Sequence, residues 1–135
     1  MDAERTLTGR CECGRVTYRV ADAFRYALNC HCSRCRAATG AAFKPLAGIE
    51  RDRFEVTAGA DALLVHGEPD ANDTRCATCG SLLFSVVQDG ARVHVALGSL
   101  RDAPAMRPQN HMMVGSKAPW HEITDDLPQF DGYPE

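Results

Sequence analysis

The chain has 135 residues, 44% hydrophobic and 24% charged, with a formal net charge of -3. That is enough for one domain with a real core, and it excludes a disordered tail or two full domains. No stretch nears 18 consecutive apolar residues, so no membrane span is expected. Lys and Arg are scattered singly rather than in runs, which argues against nucleic-acid binding. "MDAERTLTGR" lacks the apolar run of a secretory signal, so a cytoplasmic protein is expected.

In chain order, "LTGRCECGRVTYRV" makes a cysteine turn leading into a strand, with Val16, Tyr18 and Val20 alternating with Thr17 and Arg19. "RYALNC" reads as a second strand. "SRCRAATG" closes on Gly40 and suits one or two helical turns. "AAFKPLAGI" and "FEVTAG" read as short strands with breaks at Pro45 and Gly48. "ADALLVHGEP" is another strand, and "EPDANDT" reads as a polar loop. After the knuckle "CATCG", "SLLFSVV" and "ARVHVALGSL" form an antiparallel hairpin around "QDG". "NHMMVGSKAPWHEI" holds one more strand, and "DDLPQFDGYPE" reads as a surface-draped loop. Many short strands with Gly and Pro punctuation predict a mainly β domain with little helix.

Seven cysteines are the strongest compositional signal. In a reducing compartment, clustered thiols bind metal more often than they pair, and a secreted disulfide scaffold is the alternative. They sort as four plus three. "CEC" (Cys11, Cys13) and "CATC" (Cys76, Cys79) are two short pairs in glycine-bearing turns. Together they can supply a closed tetrahedral four-thiolate site. A pair of ordinary buried cysteines, or a thioredoxin-like redox pair at "CATC", are the rival readings. The redox pair would need a helix where "SLLFSVV" looks like a strand.

"CHCSRC" leaves Cys30, Cys32 and Cys35, three donors in C-x-C-x-x-C spacing. Three protein ligands and one open position are the usual form of a catalytic zinc site. A thiol is a fitting guest there, since zinc held by sulfur accepts another sulfur and stabilises it deprotonated. His31 is the rival fourth ligand, although an extended backbone turns it away from its neighbours. His66, His94, His111 and His121 are distant candidates. One site of five or more cysteines is a third arrangement.

Three thiolates leave such a site anionic, so a fourth needs nearby cations. Arg34 and Arg36 flank Cys35, and Lys117 lies in "SKAPW". Trp120 can be either a core or rim aromatic or a wall for a small ligand. Phe43 reads as core, and Asn110 and His111 as donors of a hydrogen bond near the site.

"GRCECGRVTY", "CHCSRCRAATGAAF", "CATCGSLLF", "VALGSL" and "HMMVGSKAPW" follow one another in this order. In this the chain resembles the glutathione-dependent formaldehyde-activating (GFA) family, which also includes the centromere protein V type domains. The resemblance spans about residues 9–120, within a single domain over 1–135 with a tail at 121–135. It implies a β-tent of several short twisted antiparallel sheets stapled by two zinc ions. A structural zinc would be held by Cys11, Cys13, Cys76 and Cys79, and a catalytic zinc by Cys30, Cys32 and Cys35. The implied activity is that of a carbon–sulfur lyase joining glutathione and formaldehyde as S-hydroxymethylglutathione. Arg34, Arg36, Lys117 and Trp120 are the expected contacts to the thiol. The alternative from another class is a non-catalytic module that carries or senses a small thiol. An interaction domain of the centromere protein V type is disfavoured by the acidic balance and the lack of a basic extension.

Overall fold

The computed structural model describes residues 5–134. The leader reading of residues 1–4 and the last residue of the single-domain span, 135, lie outside these.

The fold is mainly β, as expected, and has no closed barrel. Strands β1 (Thr6–Arg10), β2 (Thr17–Ala21) and β5 (Phe54–Ala58) form a three-stranded sheet in the order β1-β2-β5. The second sheet has seven strands. They are β3 (Tyr26–Cys30), β4 (Lys44–Glu50), β6 (Leu63–Glu68), β7 (Ala71–Cys76), β8 (Leu82–Val87), β9 (Arg92–Ala96) and β10 (His111–Met112), in the order β10-β3-β4-β9-β8-β7-β6. One α-helix, α1 (Ser33–Thr39), stands among the described residues. No helix is long and apolar enough to cross a membrane.

Alternation decides which face of each strand does what. Leu7, Tyr18 and Val20 from the small sheet, with Val16 just ahead of β2, meet Ala27, Ala47, Ile49, Val86, Val93 and Val95 from the large one in the main core. The other face of β3 and β4 carries Leu28, Cys30 and Leu46, a second small cluster on which Cys32, Cys35, Met112 and Met113 pack. The core therefore lies between the sheets, and the three-cysteine segment lies on the outer face of the larger one.

Two expectations are revised. β4 runs unbroken through Pro45 and Gly48. Its pairing with β9 begins only at Leu46, so Pro45 stands beyond that ladder, where a missing N–H removes no bond to β9. "EPDANDT" is not a loop: β6 and β7 form a tight hairpin in which Glu68 pairs with Ala71. Its polarity reflects an exposed edge hairpin, most of whose β6 residues face solvent. The tail is a mostly exposed surface loop, as expected, and backbone bonds stitch it to β10: His111 N–H donates to Pro128 O and Phe130 N–H to His111 O, both at 2.9 Å.

Candidate metal centres and the cavity beside them

The first cysteine group joins the two sheets. Cys11 and Cys13 sit in the turn from β1 to β2, and Cys76 ends β7 with Cys79 in the turn that follows. Gly14 at φ +80° and Gly80 at φ +82° supply the left-handed positions both turns require. The Gly80 N–H donates to Cys76 O at 2.8 Å, and Glu12 N–H donates to Ser81 Oγ at 2.9 Å, lacing one turn to the other. All four sulfurs lie within 4.8 Å of one another. The Cys11–Cys13 and Cys13–Cys76 sulfur distances are 3.6 and 3.8 Å. A tetrahedral zinc with bonds of about 2.3 Å separates its sulfurs by about 3.8 Å, so this donor set fits such an ion closely. The Val16 N–H donates to Cys11 Sγ at 3.2 Å, and the Ser81 hydroxyl lies 3.2 Å from Cys79 Sγ. Donors of this kind temper the charge of four thiolates. The Ser81 bond is the main cause that brings Cys79 down to about 5.

The second group forms where β3 ends and α1 begins. Cys30 closes β3, Cys32 caps α1, and Cys35 lies in its first turn. The Cys35 N–H donates to Cys32 Sγ at 3.2 Å, so the thiol takes the place usually held by a capping hydroxyl. Gly40, at φ +67°, ends the helix. The three sulfurs lie within 4.8 Å of one another, and no fourth His, Cys, Asp or Glu joins them among the described residues. The hydrogen bond from Cys35 brings Cys30 down to about 6 against the effect of burial, while the same contact and burial push Cys35 up. Three clustered soft donors fit zinc, and the two groups remain separate rather than forming one larger site.

His31 turns away from this group, as extended backbone predicts. It is fully buried, with Nε2 2.8 Å from His111 Nδ1, and His111 Nε2 lies 3.0 Å from Asp125 Oδ2. Asp125 accepts a hydrogen bond from His111 Nε2–H, and a single hydrogen bond joins His111 Nδ1 to His31 Nε2. His31 Nδ1 is left buried without a partner. Phe43 and His121 pack against the same ring. Desolvation first, then the neighbouring His111, holds His31 down at about 4.

The three cysteines open onto a cavity of about 580 Å³. Arg34 lines it, as do His66 and His94. The other expected contacts do not. Trp120 is 70% exposed and sits edge-on to His121. Lys117 Nζ is pinned to the carbonyls of Ala118 and His121. Arg36, Asn110 and His111 likewise lie outside the lining. Asn110 is held through its backbone carbonyl, which accepts from Asn29 N–H at 2.9 Å.

Sequence pattern alone does not single out Lys44, Ser85 and Asp73, which line the cavity. Lys44 is 4% exposed and donates from Nζ to Ser85 Oγ at 2.9 Å, while Ser85 donates to Asp73 Oδ1 at 2.5 Å. The available signal was a lone lysine in the apolar run "AAFKPLAGI". Beside them, the Tyr26 hydroxyl lies 2.5 Å from His94 Nε2. The residues come from distant strands, but the register aligns most of them. Asp73 faces Ser85, Ser85 faces His94, His94 faces Gly48, and Gly48 faces Tyr26.

The chain is similar to the crystal structure of a Rhodobacter sphaeroides protein, a Northeast Structural Genomics target, with a TM-score of 0.60 and 26% identity. The match covers 73% of this chain and 91% of that one. The profile of the glutathione-dependent formaldehyde-activating enzyme family matches residues 6–116, a span that holds both cysteine groups and most of the cavity wall, and the chain belongs to that family.

Proposed function

We propose that this protein is a zinc-dependent carbon–sulfur lyase acting on a thiol–aldehyde adduct, with glutathione and formaldehyde as the reacting pair. One observation carries the reading: three converging thiols, with no fourth such donor among the described residues, face a cavity of about 580 Å³. Sites for small molecules commonly enclose about 300–1,000 Å³, so a tripeptide thiol is within range. The family description supports this pair at family level.

On this reading Cys11, Cys13, Cys76 and Cys79 hold a structural zinc that staples the sheets, and Cys30, Cys32 and Cys35 hold the second ion. Bound there, a zinc ion would lower the pKa of the thiol that enters and so supply thiolate at neutral pH. Arg34, at the cavity wall, offsets part of the negative charge that the thiols gather. Leu46, Met112 and Met113 give an apolar wall for the methylene carbons next to the reacting sulfur. The sulfur lone pair forms the carbon–sulfur bond, the carbonyl π pair moves onto oxygen, and a proton completes the hydroxyl.

Exchange NMR of the glutathione–formaldehyde adduct, with protein at catalytic concentration, tests the reading. Acceleration that disappears in Cys32→Ser supports it. Absence of acceleration with both ions present rejects this substrate pair and favours a thiol-carrying module.

A further inference from the structure

We propose that Lys44 is the catalytic group that receives the oxygen of the aldehyde, an inference that rests on the lyase reading above. Lys44 is buried, yet its ammonium has one hydrogen-bond partner among the described residues, Ser85 Oγ. An ammonium carries three donors, so two remain for a molecule that enters the cavity. Lys44 lines the same cavity as Cys30, Cys32 and Cys35, so an oxygen of a bound molecule can supply the missing acceptor.

The placement is set by the backbone. Cys30 and Lys44 are directly opposed in the antiparallel ladder of β3 and β4, which puts their side chains on one face with Cβ atoms about 5 Å apart. The chain from Asp73 through Ser85 then fixes where the ammonium points. A donor held this way needs no reorganisation as charge appears, which is the condition for strong transition-state stabilisation. An alkoxide oxygen is the strongest acceptor the reaction creates, and charge-assisted bonds to it are the short, strong ones.

In the forward direction the thiolate sulfur bonds to the aldehyde carbon and the carbonyl π pair becomes a lone pair on oxygen. Lys44 donates a hydrogen bond to that oxygen and keeps its charge. The proton that the thiol surrendered on entering returns through solvent in the open cavity and completes the hydroxyl, so atoms and charge balance. In reverse, the same bond stabilises the alkoxide as the carbon–sulfur bond breaks. Ser85 and Asp73 are positioning residues in this scheme.

The test uses the zinc-loaded full chain. Lys44→Met keeps the side-chain length and removes the donors, and it is expected to slow adduct exchange by about 100- to 1,000-fold, the usual effect of losing one such donor. Glutathione affinity by calorimetry should fall much less than the rate, because only the charge beside Cys30 is lost when the thiol binds alone and the oxygen is absent. Lys44→Ala should regain rate with added methylammonium, a response that a purely structural role does not give. Ser85→Ala, which leaves the ammonium unaimed, supplies a second variant if Lys44→Met fails to fold, with about a tenfold loss expected. Full activity in Lys44→Met, or an equal fall in glutathione affinity and rate, overturns the assignment. A wild-type protein that does not accelerate exchange instead rejects the lyase reading, and Lys44's role falls with it.

Discussion

Gly48 lies beneath the ring of Tyr26: a Cβ on Gly48 would stand 2.2 Å from Tyr26 Cζ. The missing side chain lets the tyrosine lie across β4 and bring its hydroxyl to His94 on β9. Two strands of the cavity wall are thus tied by a contact that spans the strand between them.

Gly48→Ala is therefore expected to displace the Tyr26 ring and cost about 1–3 kcal/mol through overpacking. Urea unfolding measures the loss. Tyr26→Phe should cost less, since it keeps the packing and removes only the hydroxyl. A Gly48→Ala protein as stable as wild type would contradict the close approach.

His94 makes stability depend on pH. Desolvation first, then the charges of Lys44 and Arg92, holds it at about 4 in the fold, against 6.5 as its ordinary value. The unfolded chain binds more protons between these values, so stability is complete above about pH 6.5 and declines as pH falls toward 4. The full effect is about 3 kcal/mol by the linkage relation. Metal release at acid pH weakens wild type and variant alike, so their difference isolates this histidine. His94→Gln should lose less stability than wild type between pH 7 and pH 5, and equal losses would remove His94 from the account.

The two cysteine groups should respond differently to serine. On the proposed two-zinc reading, Cys32→Ser leaves the stapling set intact, so a cooperative unfolding transition should remain while zinc per chain falls from two to one by native mass spectrometry. On the same reading Cys79→Ser removes a ligand of a structural zinc, and such ions contribute on the order of 10 kcal/mol in small modules, comparable with the whole stability of a domain. Its far-ultraviolet circular dichroism should show a largely unfolded chain. A folded Cys79→Ser paired with an unfolded Cys32→Ser would reverse the assignment of the two groups.

His111→Leu removes the hydrogen-bond partner of the buried His31 Nε2, at a cost of about 1–3 kcal/mol. It also frees Asp125 and with it one tie of the tail. Hydrogen exchange should quicken at the Phe130 and Met113 amides, which bond to His111 O and Gly132 O. Unchanged protection there would show that the backbone ladder alone holds the tail.

Both cysteine groups were legible because ligand spacing is a local property, and C-x-C, C-x-x-C and C-x-C-x-x-C survive as printed letters. Strand alternation around Val16, Tyr18 and Val20 was legible for the same reason. The Lys44–Ser85–Asp73 chain was not, because it depends on β4, β7 and β8 lying in one sheet, and register between distant strands leaves no local trace. "EPDANDT" misled because an exposed edge hairpin is as polar as a loop. Pro45 and Gly48 misled because tertiary context supplied what each needed, an end to the β9 ladder and a ring to cover.

The side chain of Arg75 donates to the carbonyl of Gly80, at 3.1 Å, and to that of Ala38. One guanidinium thus spans from the knuckle of the stapling set to the last turn of the helix that carries Cys35. The two centres share a tie rod, and linkage makes its effect reciprocal: order at one end favours order at the other. If both groups hold zinc as proposed, the ions should load cooperatively, and Arg75→Ala should turn a calorimetric titration into two independent steps.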